Sequence, residues 1–365
     1  MRRKIGYDAR MIEHSGIGVR IQHILKYWPL EKEEAELFVF GDEMLLKKHS
    51  LPSHAKIIPY TAGIYSIREW FGHSQMRKMD FLDIPHFNVP LLFIKKCIVT
   101  IHDLIPYHFK SAHSSFLKRI YLQLTLRIIS LFAHRIIAVS NYTRDDFLNH
   151  FHSDGESITV IYNGIDPEVF SSDVLKNMRS FRHAQNLPQN FLLTIGIGKK
   201  HKNFDFLFEN LTELWRSGKL KIPLVIGGLG NEIPKELTDF KIHFPNQIYF
   251  LNHLPYHDLP KIYKMAKVFL FPSLFEGFGF PVLEAQAMGT PVISSDATVL
   301  PEILRDSAIL FDGRNSADFQ KKLLATLSDP SLLLRLAAVG QKNSKRFHWR
   351  EQIRRLKVFY QSILA

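Results

Sequence analysis

The chain has one cysteine, Cys97, in 365 residues. That excludes an internal disulfide and a cysteine-rich zinc ribbon, and it fits a reducing compartment. No apolar run reaches the length of about 18 residues that a bilayer span requires. The most hydrophobic long window, 116–139, carries Lys118, Arg119, Arg127, His134 and Arg135, too many charges for a span. Met1-Arg2-Arg3-Lys4 is basic, but Ile5-Gly6-Tyr7-Asp8-Ala9-Arg10 follows in place of a signal peptide's apolar core, so a cytoplasmic location is expected. The 18 histidines form no H-E-x-x-H and no spaced His/Cys set, so no metal site is expected. Neither G-x-S-x-G nor a Walker A sequence occurs, and Gly227-Gly228-Leu229-Gly230 lacks dinucleotide-fingerprint spacing. Acidic residues are in deficit: 35 Asp and Glu against 47 Lys and Arg leave +12. Such a surplus points to an anionic partner, whether a nucleotide, a nucleic acid or a membrane surface. No interleaving of aromatic and basic residues supports the nucleic acid.

What is present is a chain with 46% hydrophobic residues, long enough for two cores. Short β-rich runs alternate with helical patterns. The strand candidates are 4–8, 37–40, 56–59, 84–87, 97–102, 135–140 and 158–162. After a polar, helix-prone stretch at 171–189 the series restarts with 191–196, 224–226, 247–251, 268–272, 291–294 and 308–311. Helical segments at 203–216, 259–266 and 281–288 separate members of the second series. Strands separated by helices imply βαβ units and parallel sheets. The fold class is therefore α/β, with two doubly wound domains at 1–170 and 171–346 and ligands at the carboxyl ends of the strands. Phe347, Trp349, Ile353, Leu356, Phe359, Tyr360 and Ile363 recur at helical spacing, which predicts a terminal core-facing helix over 347–365.

The richest segment runs from Phe271 to Gly289. A buried strand enters the turn Glu276-Gly277-Phe278-Gly279, and a helix follows with Pro281 suited to its first turn and Gly289 to its end. Free N–H groups at such a helix start suit a phosphate or polarised hydroxyls. Glu276 lies in the turn and Glu284 about one helical turn in, so both carboxylates can face one ligand and accept hydroxyl pairs. The bland alternative is a helix-dipole acid at Glu284 and a solvated loop acid at Glu276. Asp145-Asp146 follows Asn141-Tyr142-Thr143-Arg144 at an apparent helix start, where acids are ordinary.

Glu276 and Glu284 also stand at the E-x7-E spacing of family 4 retaining glycosyltransferases, inside a P-S-x-x-E-G-F-G-x-P-x-L-E-A context. The resemblance extends along the chain. Asp8-Ala9-Arg10 and Ser15-Gly16-Ile17-Gly18 resemble the family's first strand and glycine loop, and Ile101-His102-Asp103-Leu104-Ile105-Pro106 its I-H-D-L-x-P element. Ala138-Val139-Ser140, Asn163-Gly164-Ile165-Asp166 and Leu300-Pro301-Glu302 are similar to later stations in the same order. The resemblance implies the GT-B fold: two Rossmann-like domains facing a central cleft, the first on the acceptor side, the second binding nucleotide sugar, and the last helix crossing back to the first domain.

Roles follow from the resemblance position by position. Glu284 is expected to hold the donor's ribose. Glu276 is expected to hold the transferred sugar, helped by Gly277, Phe278 and Gly279, with Leu283 also on the donor side. Gly16 and Gly18 are expected to let the backbone approach the diphosphate. Lys202 is expected to neutralise the diphosphate, a role that metals fill in other transferases. Where many members carry an arginine this chain has Ile197, which leaves Lys199 to compensate. His102 is expected to border the sugar with Asp103 as its orienting partner, although a strand-end His-Asp pair also serves as a turn cap.

The implied activity is retaining, metal-independent hexosyl transfer from a nucleotide-diphosphate sugar, with no further cofactor. The pattern is most similar to bacterial mannosyltransferases of surface-polysaccharide assembly, so GDP-mannose leads and a glycan or lipid-linked glycan is the expected acceptor. The window 116–139 reads as a buried helix or as a peripheral contact with anionic membrane. A sugar-nucleotide epimerase of the same fold and a non-catalytic sugar-nucleotide-binding module are the alternatives.

Overall fold

Short runs of β-branched and aromatic residues, apolar on both faces, are what buried parallel sheets require. The computed structural model describes residues 2–109, 116–171, 176–196, 198–228, 233, 235–251 and 254–364. It divides into two compact units, Met1–Gly164 with Trp349–Ala365, and Ile165–His348. The sequence boundary at 170/171 thus lies at 164/165, and that at 346/347 lies at 348/349. Local pairing accounts for the shift: Ile165 bridges His348 in parallel and its N–H donates to Phe347 O at 2.7 Å, so both belong with the second unit.

The first unit contains β1 (Arg3–Asp8), β2 (Ala35–Gly41), β3 (Lys56–Pro59), β4 (Phe81–Ile84), β5 (Cys97–Ile101), β6 (Arg135–Ala138) and β7 (Ile158–Val160). Among the described residues these form a sheet in the order β3-β2-β1-β4-β5-β6-β7. The second unit contains β8 (Leu192–Ile195), β9 (Leu224–Gly227), β10 (Ile248–Phe250), β11 (Val268–Phe271), β12 (Val292–Ser295) and β13 (Ile309–Phe311), ordered β10-β9-β8-β11-β12-β13. Every strand pair is parallel. The direction of winding reverses between β1 and β4 in one sheet and between β8 and β11 in the other. Those two switch points are where an open α/β sheet leaves a crevice beyond its strand ends.

Each sequence-predicted strand appears, with one displaced. The run 84–87 is found as β4 at Phe81–Ile84. Pro85 lacks an N–H and ends the ladder, while Leu82, Asp83 and Ile84 pair with Cys97, Ile98 and Val99. Gly16 and Gly18 lie in the first turn of the helix Ser15–Lys26 rather than in a loop. The chain turns earlier, through hydrogen bonds from Ile12 N to Ala9 O and His14 N to Met11 O.

The terminal helix Trp349–Leu364 belongs to the first unit and buries Trp349, Leu356, Phe359 and Tyr360. Trp349 stacks on His23 at 5.1 Å between centroids. Tyr360 donates its hydroxyl to Asp83 on β4, and burial pushes the Asp83 carboxyl up to about 6, against the lowering effect of that hydrogen bond. The helix Phe116–Phe132 buries Leu122, Leu126 and Ile129 and exposes Leu124, Leu131 and Phe132. Among the described residues no single helix is long and apolar enough to cross a membrane.

Gly18 is fixed by contact. A Cβ there would stand 2.4 Å from Ile12 O and 2.9 Å from Ile12 C, backbone atoms that cannot rotate away. Alanine gains about 1 kcal/mol of helix propensity over glycine, but overpacking costs about 1–3 kcal/mol or more, and here the obstruction is rigid. Gly18→Ala is therefore expected to lower the thermal unfolding midpoint; an unchanged or raised midpoint would show that the turn at Met11–Ile12 yields.

Candidate functional site

In the second unit, loops leave β8 and β11 side by side at the switch point. The β8 loop ends in the single turn Lys200–Lys202 before the helix Phe204–Arg216. The β11 loop carries Glu276 to Gly279 and opens the helix Phe280–Ala287. The two loops are laced together: Leu274 N donates to His201 O at 2.7 Å and Ser273 Oγ donates to the same carbonyl at 3.2 Å. Asn203, at the start of the next helix, donates Nδ2 to Gly313 O at 2.8 Å.

This lacing brings Lys202 Nζ to 2.7 Å from Glu276 Oε1, with both side chains largely shielded from water. Lys202 also lies over the Phe271 ring, 5.1 Å from its centroid. The Glu276 backbone is pinned from the other side, where its N–H donates to Thr298 Oγ1 at 3.0 Å and its carbonyl accepts from the same hydroxyl at 3.1 Å. Thr298 is held at φ 53°, a left-handed conformation that β-branched residues rarely adopt. Gly279 enters the helix at φ 91°, where any side chain would be strained and a Cβ would meet Leu300 at 3.2 Å.

Glu284 lies in that helix and is buried. Its Oε2 accepts the Tyr263 hydroxyl at 2.9 Å. Burial pushes the carboxyl up to about 7, the Tyr263 hydrogen bond opposing; the same burial, with Glu284 beside it, holds the Tyr263 phenol well above its ordinary range. Each carboxylate expected at this site thus has its own partner, Lys202 for Glu276 and Tyr263 for Glu284. Gly277 and Phe278 are buried, and Phe278 lies edge-on to Phe280 and Phe347 at 5.1 and 5.8 Å. Leu283 is completely buried in the core, so its side chain presents nothing to a ligand. Lys199 is exposed. Ile197 lies outside the described residues.

In the first unit, His102 and Asp103 follow β5. His102 Nε2 lies 2.9 Å from Pro85 O; because a carbonyl only accepts, Nε2 carries the proton and Nδ1 the lone pair. Burial, then the positive Arg20, lowers the imidazole to about 3, so it is neutral at physiological pH. Asp103 Oδ1 accepts from Ile105 N at 2.9 Å, which is the turn-capping role.

A further set at the β1/β4 switch point was not singled out as a site from sequence. Asp8 at the end of β1 and Arg10 form a buried pair, with Arg10 Nη2 at 2.7 Å from Asp8 Oδ2 and Nη1 at 2.9 Å from Glu69 Oε1. His86, just past β4, places Nε2 3.6 Å from Asp8 Oδ2, and its Nδ1 accepts from Asn88 N at 3.1 Å. Tyr121 donates its hydroxyl to Glu69 at 2.9 Å. Arg10 and His86 hold the Asp8 carboxyl well below the usual range against the cost of burial. The available signal was Asp8-x-Arg10 at a strand end; Glu69, His86 and Tyr121 meet it only through the fold. Tyr263, which holds Glu284, had no sequence signal.

Two family models match the chain: Glycosyltransferase Family 4 over residues 15–169, and Glycosyl transferases group 1 over residues 176–343. The O-antigen chain mannosyltransferase RfbU of Salmonella typhimurium is 26% identical over 238 residues, covering 65% of this chain and 62% of RfbU. The O-antigen chain mannosyltransferase B of Escherichia coli is 25% identical over 268 residues, 73% of this chain and 70% of that protein. The match to RfbU therefore spans just under two thirds of that relative's length. Anabaena Alr3699/HepE, solved with UDP and glucose, superposes with a TM-score of 0.77 at 18% identity, over 99% of this chain and 100% of that one. WaaG, a glycosyltransferase involved in lipopolysaccharide biosynthesis, superposes with a TM-score of 0.72 at 14% identity, over 97% and 98% of the two chains. The two doubly wound parallel sheets and their likeness to these structures give the chain the GT-B fold, and the two models place a Glycosyltransferase Family 4 domain before a Glycosyl transferases group 1 domain.

Proposed function

We propose that this protein is a retaining hexosyltransferase that takes its sugar from a nucleotide-diphosphate donor, GDP-mannose first, and passes it to a hydroxyl of a glycan or lipid-linked glycan. The observation that carries the proposal is the Lys202–Glu276 pair at the β8/β11 switch point, 2.7 Å apart. A diphosphate carries more negative charge than one carboxylate and offers Lys202 charge-assisted hydrogen bonds in its place, so it can displace Glu276 from Lys202 and free the carboxylate for sugar hydroxyls. The N–H groups at the start of the helix Phe280–Ala287 add positive potential for the same anion. Glu284 takes the ribose hydroxyls. Charge stabilisation by Lys202 and this helix start replaces a divalent cation at the diphosphate.

Transfer with retention proceeds on one face of the sugar. The bond from the anomeric carbon to the acceptor oxygen forms as the bond to the phosphate oxygen breaks, and the departing phosphate takes the acceptor's proton. His102, neutral with Nδ1 as its lone-pair nitrogen, suits hydrogen-bond acceptance from a sugar hydroxyl rather than charge stabilisation. The relatives named for O-antigen chain mannosyl transfer support mannose as the sugar and a surface glycan as the acceptor class. Peripheral membrane contact belongs to the same reading: the helix Phe116–Phe132 exposes Leu124, Leu131 and Phe132 beside the exposed Arg119 and Arg127.

The direct test is a thermal-shift panel of GDP, UDP, dTDP and ADP with their sugars in magnesium-free buffer, followed by incubation with the donor alone. Stabilisation by guanine nucleotides and slow release of free mannose support the proposal. Appearance of an epimer, or inertness with every nucleotide, overturns it. Lys202→Ala is expected to weaken nucleoside diphosphate binding by about 1.5–3 kcal/mol, roughly 10- to 150-fold in Kd by calorimetry; an unchanged Kd removes Lys202 from the site.

The raised Glu284 carboxyl gives a pH test. Hydroxyls donate to the ionised form, and with the group at about 7 that form is depleted below neutrality. Nucleotide affinity is expected to rise with pH between about 5.5 and 7 by up to about tenfold per unit, then level off. Glu284→Gln should flatten the profile; an equally steep profile in the variant would assign the titration to another group. Co-sedimentation should be stronger with vesicles containing anionic lipid than with neutral vesicles, and Leu131→Glu/Phe132→Glu should abolish the difference; retention of it would locate the contact elsewhere.

A further inference from the structure

We propose that His108, Asp146 and His150 form a binding site for a divalent transition-metal ion, with zinc the best match, that ties the loop carrying His102 to the helix Asn141–His150. Asp146 and His150 stand four residues apart on that helix and so share a face. His108 ends the short helix Ile105–His108, directly after the His102-Asp103 loop. Each of the three offers a ligand atom within 4.8 Å of the other two. His108 Nε2 is 2.9 Å from both Asp146 oxygens, a hydrogen-bond distance at which Nε2 carries the proton, and an ion would take that proton's place between the two groups. The earlier reading of Asp145-Asp146 as ordinary helix-start acids separates here: Asp145 is exposed and pairs with Arg144, whereas Asp146 is buried and turned toward the two imidazoles.

Two surrounding features favour an ion over a plain hydrogen-bonded cluster. His150 Nδ1 lies 2.8 Å from Asp146 O and 3.3 Å from Asp146 Oδ1; the carbonyl can only accept, so Nδ1 carries the proton toward Asp146 and the ring's other nitrogen, Nε2, is the one with a lone pair for an ion. Fixing the imidazole tautomer through a backbone carbonyl is how proteins prepare a histidine ligand. Tyr107 walls the cluster, edge-on to His108 at 5.6 Å and to His150 at 4.9 Å, while both histidines keep part of their surface open to solvent as an entry path. Two imidazoles and one carboxylate suit zinc and its neighbours better than magnesium or calcium, which prefer oxygen ligands. The same helix already reaches back to the loop, since Thr143 Oγ1 donates to His102 O at 3.4 Å. The ion would add a second tether at the helix's far end. The site lies wholly in the first unit and carries no part of the diphosphate chemistry assigned to Lys202.

Tag-free full-length protein, stripped with chelator, would be titrated with Zn²⁺ by calorimetry and with Co²⁺ by visible absorption. The expected result is a single-equivalent phase, a rise in the unfolding midpoint and cobalt bands of a nitrogen-and-oxygen site, all lost in Asp146→Asn/His150→Gln. No single-equivalent phase in the wild type, or the same phase in the folded variant, overturns the proposal. Should the variant not fold, histidine carbethoxylation read by mass spectrometry on the wild type decides. Zinc is expected to protect His108 and His150 above the remaining histidines, and unchanged labelling of these two overturns the site.

Discussion

The ion pair between Lys202 and Glu276 depends on two loops emerging together where the second sheet reverses its winding. The β8 loop supplies a cation and the β11 loop a carboxylate, and hydrogen bonds to His201 O hold one against the other. Thr298 grips the Glu276 backbone from behind, and Gly279 turns the chain into the helix Phe280–Ala287 just beyond it. A turn so pinned moves little when a ligand arrives, which is the preorganisation that electrostatic stabilisation requires. The pair also keeps both charges matched while no anion is present.

Glu284 obeys a different constraint. Its carboxylate is buried and accepts the Tyr263 hydroxyl, and its raised proton affinity follows from that burial. The contrast with Asp8 is instructive, because Asp8 is equally buried yet held far toward the ionised form by Arg10 and His86. Burial alone raises a carboxyl; burial beside a cation lowers it. The first unit thus carries a fixed charge network at its own switch point, close by β4 and the neutral His102, whose Nε2–H goes to Pro85 O.

How much of this was legible in the sequence varies with the range of the interaction. Parallel strands are legible because each is a short run apolar on both faces, and the strands were located from 4–8 to 308–311. β4 slipped to Phe81–Ile84 because hydropathy at 84–87 cannot show that Pro85 stops the ladder. Gly16-Ile17-Gly18 reads as a loop through the family resemblance, yet it is helix here, and Gly18 is required by the backbone of Ile12 pressing on it. Glu276, Glu284 and Lys202 stood out by spacing and context. Their partners Tyr263 and Thr298 did not, since each comes from an element brought alongside only by folding. The His108, Asp146 and His150 cluster was missed for the same reason: only the Asp146-x3-His150 half is local, and His108 arrives from the short helix that follows β5.

The central claim is that Lys202 serves the diphosphate and Glu276 the sugar, with each holding the other in the meantime. Calorimetric comparison of GDP binding to the wild type and to Glu276→Gln, in magnesium-free buffer, tests it most directly. Removing the carboxylate frees Lys202 and lifts a repulsion from the incoming phosphates, so the account predicts severalfold tighter GDP binding together with loss of mannosyl transfer. A variant that folds normally but binds GDP more weakly would contradict it, because Glu276 would then hold the nucleotide itself.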